Sequence, residues 1–158
     1  MKAACYLKDV RVFFKKWFRD IRAGQLEDGG IPYVIPDVLT ETTEEGLVGE
    51  NHSATGWGDA AVICPWTLYL TYGDKRILDE QYDSMKAWIE HIRSRAQDGV
   101  LWNTGFHFGD WVALDAKEGS YFGATPNDLT ATAYYAYSTG ILVKTAGILG
   151  KDKDAKEY

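Results

Sequence analysis

Apolar residues at Val10, Phe13, Phe14, Trp17, Phe18 and Ile21 follow the i, i+3, i+4, i+7, i+8, i+11 spacing of one helical stripe. Arg11, Lys15, Lys16, Arg19, Asp20 and Arg22 fill the opposite face. The spacing predicts an amphipathic helix over 8–23, stopped by Gly24, with the basic residues as a solvated face. Residues 75–95 show the same period: Ile77, Leu78, Gln81, Tyr82, Met85, Trp88, Ile89 and Ile92 share a face, and charges fill the rest. From Ala60 onward the intervening stretch is apolar on every side, which predicts a helix buried all round. Asp59 is placed to cap it. Pro65 either kinks this helix or delays its start by one turn. Gly73 ends it, and Asp74 can cap the next. A further helix is predicted over 129–149, capped by Asn127 or Asp128, largely apolar round its circumference and stopped by Gly150. Residues 151–158 begin a polar helix.

Two long stretches lack this period. In residues 25–53, Asp28-Gly29-Gly30 is a turn signal and 31–36 reads as extended, because residues before proline are pushed out of the helical region. Residues 40–50 are acidic and polar, expected to be mobile and solvent-facing. Residues 102–123 hold six aromatics, four glycines and one His among acids. A loop this long inside a folded unit is usually functional.

The segments around Gly73 and Gly150 look alike. Each has a buried helix, a glycine stop, and a polar helix reaching Tyr82 or Tyr158, with a period close to 76 residues. The unit is an αα-hairpin with an apolar inner and an amphipathic outer helix. Stacked hairpins need neighbours to cover their open faces. Inner helices in a ring, outer helices around them and long loops at one mouth describe an all-α (α/α) toroid. An ordinary helical bundle is the alternative, and its connections are far shorter. The five helices implied, the last one cut, would leave apolar edges uncovered. The expectation is therefore one domain over 1–158 that is an incomplete part of the ring.

Composition narrows the function. A net charge of −6 leaves no basic footprint for nucleic acid or an anionic membrane. No apolar run reaches the length of a membrane span. The start has no secretory apolar core before charge returns, so the compartment stays open, cytoplasmic slightly ahead of extracellular. Cys5 and Cys64 lack metal-ligand spacing and read as small buried apolar residues. Aromatic content is 14%, with six Trp and ten Tyr. Acids beside flat rings suit a polyhydroxylated ligand, since a sugar stacks its CH faces and hydrogen-bonds through its OH edges.

Six pieces occur in order: Lys16-Trp17-Phe18-Arg19-Asp20-Ile21-Arg22-Ala23, Asp28-Gly29-Gly30-Ile31-Pro32, Trp57-Gly58-Asp59-Ala60-Ala61-Val62, Pro65-Trp66-Thr67-Leu68-Tyr69, Asn103-Thr104-Gly105-Phe106-His107-Phe108-Gly109-Asp110-Trp111 and Thr132-Ala133-Tyr134-Tyr135-Ala136. Together they resemble the catalytic domain of bacterial α-L-rhamnosidases, glycoside hydrolase family 78, nearly end to end. The resemblance implies a six-hairpin (α/α)6 barrel and inverting hydrolysis of terminal α-L-rhamnosyl bonds. It implies a rhamnose-containing oligosaccharide or glycoside as partner, together with the remaining segments of the same domain. The family's general acid is a Glu in an Asp-Cys-Pro-Gln-Arg-x-Glu-like segment that would precede Ala4, and its general base is a Glu beyond Tyr158. Gly56-Trp57-Gly58-Asp59 lacks the Cys-Pro-Gln-Arg-x-Glu run and matches the family's later Trp-Gly-Asp-Ala. The expected catalytic set within this chain is therefore empty. Trp57 and Trp111 match family tryptophans that line the rhamnose subsite.

An inverting glycosidase needs two carboxyl groups roughly 6.5–9.5 Å apart. Asp59, Asp110, Asp115, Glu118 and Asp128 are the carboxylates near the motifs. Asp59 and Asp128 are favoured as helix caps, and Asp115 and Glu118 as loop or solvent residues. Asp110, between Gly109 and Trp111, is the best functional carboxylate, for orienting a hydroxyl or a loop amide rather than for proton transfer. His107, between two Phe, is favoured as a hydrogen-bonded packing residue. The expected substrate-binding set is Trp57, Asp59, His107, Asp110 and Trp111. No cofactor and no metal are expected. Another six-hairpin glycosidase or phosphorylase, a non-catalytic carbohydrate-binding domain and a ligand-free helical repeat are the alternatives.

Overall fold

The computed structural model describes residues 1–39 and 53–158; the expected mobility of 40–50 lies outside the described residues. Among them are six helices: α1 (Lys2–Leu7), α2 (Arg11–Gly24), α3 (Ala60–Tyr72), α4 (Arg76–Arg95), α5 (Asn127–Leu149) and α6 (Asp152–Glu157). Among the described residues the β pairing consists of the isolated bridges Gln97–Leu101 and Trp111–Phe122.

Helix α4 is the anchor. All eight residues of its predicted stripe are buried, and Ser84 and His91 are buried with them. It packs across both α3 and α5, which also touch each other. The resulting core includes Val62, Leu68, Trp88, Trp102, Ile141 and Leu142, with Phe18 and Ile21 of α2 closing one side. Phe13, counted in the α2 stripe, stays 66% exposed.

The repeat is visible in the turns. Gly73 (φ 69°) and Gly150 (φ 71°) both sit in the left-handed region, where a Cβ is disfavoured. The Gly73 N–H donates to the Tyr69 carbonyl at 2.8 Å, and the Lys151 N–H to the Ala146 carbonyl at 2.9 Å. Each glycine reverses the chain within three residues, giving hairpins α3–α4 and α5–α6. Side chains bridge the second helices of the two hairpins. Tyr82 Oη donates to Asp154 Oδ2 at 2.7 Å, Lys86 Nζ reaches Asp154 Oδ1 at 3.0 Å, and Tyr158 Oη donates to Glu90.

Several expectations need correction. Helix α1 was not predicted, because its six residues carry no recurrent stripe. Helix α2 starts at Arg11, three residues late, where Asp9 takes the Arg11 N–H and guanidinium. Helix α3 starts at Ala60 and includes Pro65, so its start is not delayed by a turn; the Thr67 hydroxyl donates to the Ile63 carbonyl. It is not buried all round: Leu70 is 64% exposed, since the short α1 covers only part of that face. Cys5 and Cys64 are free and half-buried rather than buried, and burial pushes the Cys64 thiol up to about 11. Residues 33–36 bend instead of running extended. Neither Asn127 nor Asp128 caps α5. Both lie inside it, behind Pro126, and the Asn127 amide is engaged by the loop before it.

Candidate functional site

The Trp57-Gly58-Asp59 segment turns into α3, and each residue does a different job. A Cβ on Gly58 would sit 2.3 Å from the Trp88 ring, so only glycine lets that indole lie against the turn. Asp59 is fully buried and takes the Trp88 Nε1–H at 3.1 Å. The same oxygen accepts from the Ser138 hydroxyl at 2.6 Å. The other oxygen accepts from the Gly56 N–H at 2.7 Å and, at 3.4 Å, from the Thr55 hydroxyl. Asp59 thus stands at the cap position without making the cap bond. Its carboxylate turns back to the preceding turn and across to α4 and α5, where these four donors meet it. With Gly58 and Asp59 anchored inward, Trp57 projects outward and is 47% exposed.

Trp111 is held by aromatics on its own loop. Its ring stacks on Tyr121 at 5.3 Å and meets Phe122 edge-on at 5.2 Å. The backbone pairs around it, with Gly123 N–H donating to the Asp110 carbonyl at 2.8 Å and Val112 N–H to the Tyr121 carbonyl at 2.6 Å. Val112 takes φ 59°, a region that β-branched residues seldom adopt, directly after Trp111. Trp111 remains 40% exposed.

Phe108 joins the two tryptophans. Trp57 and Trp111 meet it in T-shaped contacts at 5.1 and 5.4 Å, and Tyr33 and Phe106 meet it the same way at 5.2 and 5.0 Å. Such contacts contribute about 0.5–1.5 kcal/mol each beyond area burial. Both tryptophans therefore face one cleft of about 220 Å³. Thr55, Phe108, Thr130 and Tyr134 are among its other walls. This is below the roughly 300–1,000 Å³ of sites for drug-sized ligands, and suits a single sugar ring. On the far side of Trp57 lies a second, apolar cleft of about 330 Å³, walled by Trp17, Ile31 and Tyr33 among others.

His107 is buried behind the cleft and meets Trp102 edge-on at 4.3 Å. Its Nδ1 lies 3.2 Å from the Thr55 N–H and its Nε2 lies 3.0 Å from the Thr104 carbonyl. A backbone N–H can only donate and a carbonyl only accept, so the ring is the neutral Nε2–H form. Burial lowers its pKa, against smaller opposing effects of the Thr104 carbonyl and the Asp59 carboxylate. Asp110 is half-buried, and its Oδ2 accepts from the Thr125 hydroxyl at 2.9 Å. Of the five residues expected to bind substrate, Trp57 and Trp111 line the cleft, Asp110 precedes Trp111, and Asp59 and His107 lie behind the wall. Asp115, Glu118 and Asp128 are exposed. Among the described residues no group of three or more His, Cys, Asp or Glu could hold a metal ion, and no helix is long and apolar enough to cross a membrane.

All 158 residues match the model of the bacterial alpha-L-rhamnosidase six-hairpin glycosidase domain. The chain belongs to this family. An alpha-L-rhamnosidase of Formosa agariphila is 37% identical over 150 residues, which are 95% of this chain and 15% of that protein. The structure of native α-L-rhamnosidase from Aspergillus terreus superposes with a TM-score of 0.81 at 33% identity, over 95% of this chain and 17% of that one. The α-L-rhamnosidase of Streptomyces avermitilis, solved complexed with L-rhamnose, gives 0.70 at 32% identity, over 89% and 12%. The chain thus spans about 15% of the length of the Formosa relative. In a six-hairpin glycosidase domain, α3–α4 and α5–α6 are successive hairpins, and the two Trp-bearing loops lead into α3 and α5.

Thr55, Phe108, Thr130, Tyr134 and Ser138 escaped the sequence reading. Thr130, Tyr134 and Ser138 recur every four residues on α5 and so share one face, a spacing that could have pointed to them among the helix's other hydroxyls.

Proposed function

We propose that this chain forms one wall of the sugar subsite in an enzyme that hydrolyses terminal α-L-rhamnosyl bonds with inversion. The observation that carries the reading is the pair of half-exposed tryptophans, Trp57 and Trp111, set around one sugar-sized cleft with the hydroxyl-bearing side chains of Thr55, Thr130 and Tyr134. Rhamnose matches such a cleft, because its C6 methyl gives it more apolar surface than glucose while its ring hydroxyls still need partners. Asp110 holds the Trp111 loop, and Asp59 and His107 brace the wall from behind. The acid and base come from outside these residues, so the chain by itself recognises sugar and does not cleave it. The exposed Tyr6, Leu7, Val12 and Leu70 form apolar surface that further hairpins of the ring would cover.

The test is hydrolysis of an aryl α-L-rhamnoside by the full-length protein, followed by NMR of the first sugar formed. The reading expects β-L-rhamnose first, with no requirement for inorganic phosphate. Release of α-L-rhamnose first, dependence on phosphate, or no turnover would refute it.

A further inference from the structure

Apart from the shared contact with Phe108, the loop carrying Trp57 and the loop carrying Trp111 are tied at one buried polar point. The Thr55 N–H, two residues before Trp57, donates to His107 Nδ1, four residues before Trp111. Around it the network is directional. Thr55 and Gly56 are also held by Asp59 Oδ2, and the His107 backbone carbonyl accepts from the Asn127 amide at 3.2 Å. The His107 ring is therefore fixed at Nε2 by its own loop, at its backbone by α5, and at Nδ1 by the opposite loop.

We infer that His107 is a positioning residue, a latch whose unprotonated Nδ1 holds the two tryptophan loops at sugar-binding separation. This rests on the reading of the cleft as a rhamnose subsite. The chemistry makes the latch sensitive to acid. A proton on Nδ1 turns the acceptor into a donor facing a donor, the Thr55 N–H, and neither can rotate away. Thr55 then loses its partner in a buried position, and the Trp57 turn is free to move relative to Trp111. The titratable group the structure sets against the ring is Asp59, at the start of α3. The loop presents the neutral Thr104 carbonyl, and α5 the neutral Asn127 amide, which bonds the His107 backbone and not the ring. Because burial holds the ring below its ordinary value of 6.5, the latch is complete above that pH and opens as pH falls through the lowered value.

The experiment uses the full-length protein with L-rhamnose as probe, titrated by calorimetry from pH about 8 down to the lowest pH at which circular dichroism shows the protein folded. It compares the parent, His107→Asn and His107→Leu, and follows hydrogen exchange of the Thr55 amide in each. Asn can present its side-chain oxygen to the Thr55 N–H but cannot protonate there. The latch predicts an acid loss of affinity in the parent, and a flatter pH profile in His107→Asn with near-parent affinity. It predicts about five- to ten-fold weaker binding in His107→Leu at every pH, as expected for one lost buried hydrogen bond. The protection of the Thr55 amide, its exchange corrected for the intrinsic rate at each pH, should fall on acidification in the parent and be low at all pH values in His107→Leu. An unchanged acid profile in His107→Asn, or Thr55 protection indifferent to both pH and His107→Leu, overturns the latch. If the parent does not bind L-rhamnose, the subsite reading fails while the Thr55 amide still decides the latch.

Discussion

Replacing Asp59 with asparagine changes one oxygen to an NH2 and leaves the shape intact, so its cost isolates the hydrogen bonding at the centre of the fold. One carboxylate oxygen faces the Trp88 indole N–H and the Ser138 hydroxyl, and the other faces the Gly56 N–H and the Thr55 hydroxyl. The hydroxyls can rotate to accept from an amide. The indole and backbone N–H groups cannot. Whichever way the asparagine is flipped, one fixed donor is left against its NH2. The favoured flip keeps the oxygen toward buried Trp88 and sets the NH2 against the Gly56 N–H, at an exposed residue, where the lost bond costs about 1 kcal/mol; the bonds that survive lose their charge-assisted strength, about another 1 kcal/mol. The expected loss is about 2 kcal/mol, a sizeable share of the stability of a typical domain. Hydrogen exchange in the full-length protein reads it locally, as faster opening in the turn before α3 and in α4 around Trp88. Protection within about 0.5 kcal/mol of the parent at both places would refute the reasoning, because no flip satisfies all four partners.

Two further substitutions separate structure from chemistry. Gly58→Ala drives a methyl into the Trp88 ring and should destabilise by about 1–3 kcal/mol, seen as a lower unfolding midpoint and altered near-UV circular dichroism from the displaced indole. Asp110→Asn keeps an oxygen for the Thr125 hydroxyl, so turnover of an aryl α-L-rhamnoside should stay within about five-fold of the parent; a loss of about a hundred-fold or more would place proton transfer at Asp110.

The helices that could be read from sequence are those whose burial is decided locally. In α4 the stripe from Ile77 to Ile92 repeats often enough to fix both the helix and its buried face. In α3 the lack of any polar face suggested burial all round, but burial depends on which neighbours are near, and no local pattern encodes that. Helix α1 is too short to show a period. The site divides in the same way. Trp57 and Trp111 stand out because tryptophan on a loop must pack or bind. The cleft itself required Phe108 to join them, and the role of Asp59 required Trp88 and Ser138, 29 and 79 residues away. A residue suited to an N-cap by its local sequence is drawn elsewhere when buried donors compete for it, which is why Asp59 departed from expectation.

The central claim is that Trp57 and Trp111 form the two aromatic walls of one sugar subsite. Calorimetric titration of L-rhamnose into the full-length protein and its Trp57→Ala and Trp111→Ala variants tests it most directly, with circular dichroism confirming that each variant is folded. Losing one stacking aromatic should remove about 1–3 kcal/mol of binding, by analogy with bases stacked on aromatic side chains, and so weaken affinity about ten- to a hundred-fold in each variant. Affinity equal to the parent's in both folded variants would contradict the account and leave these tryptophans as packing residues of a loop.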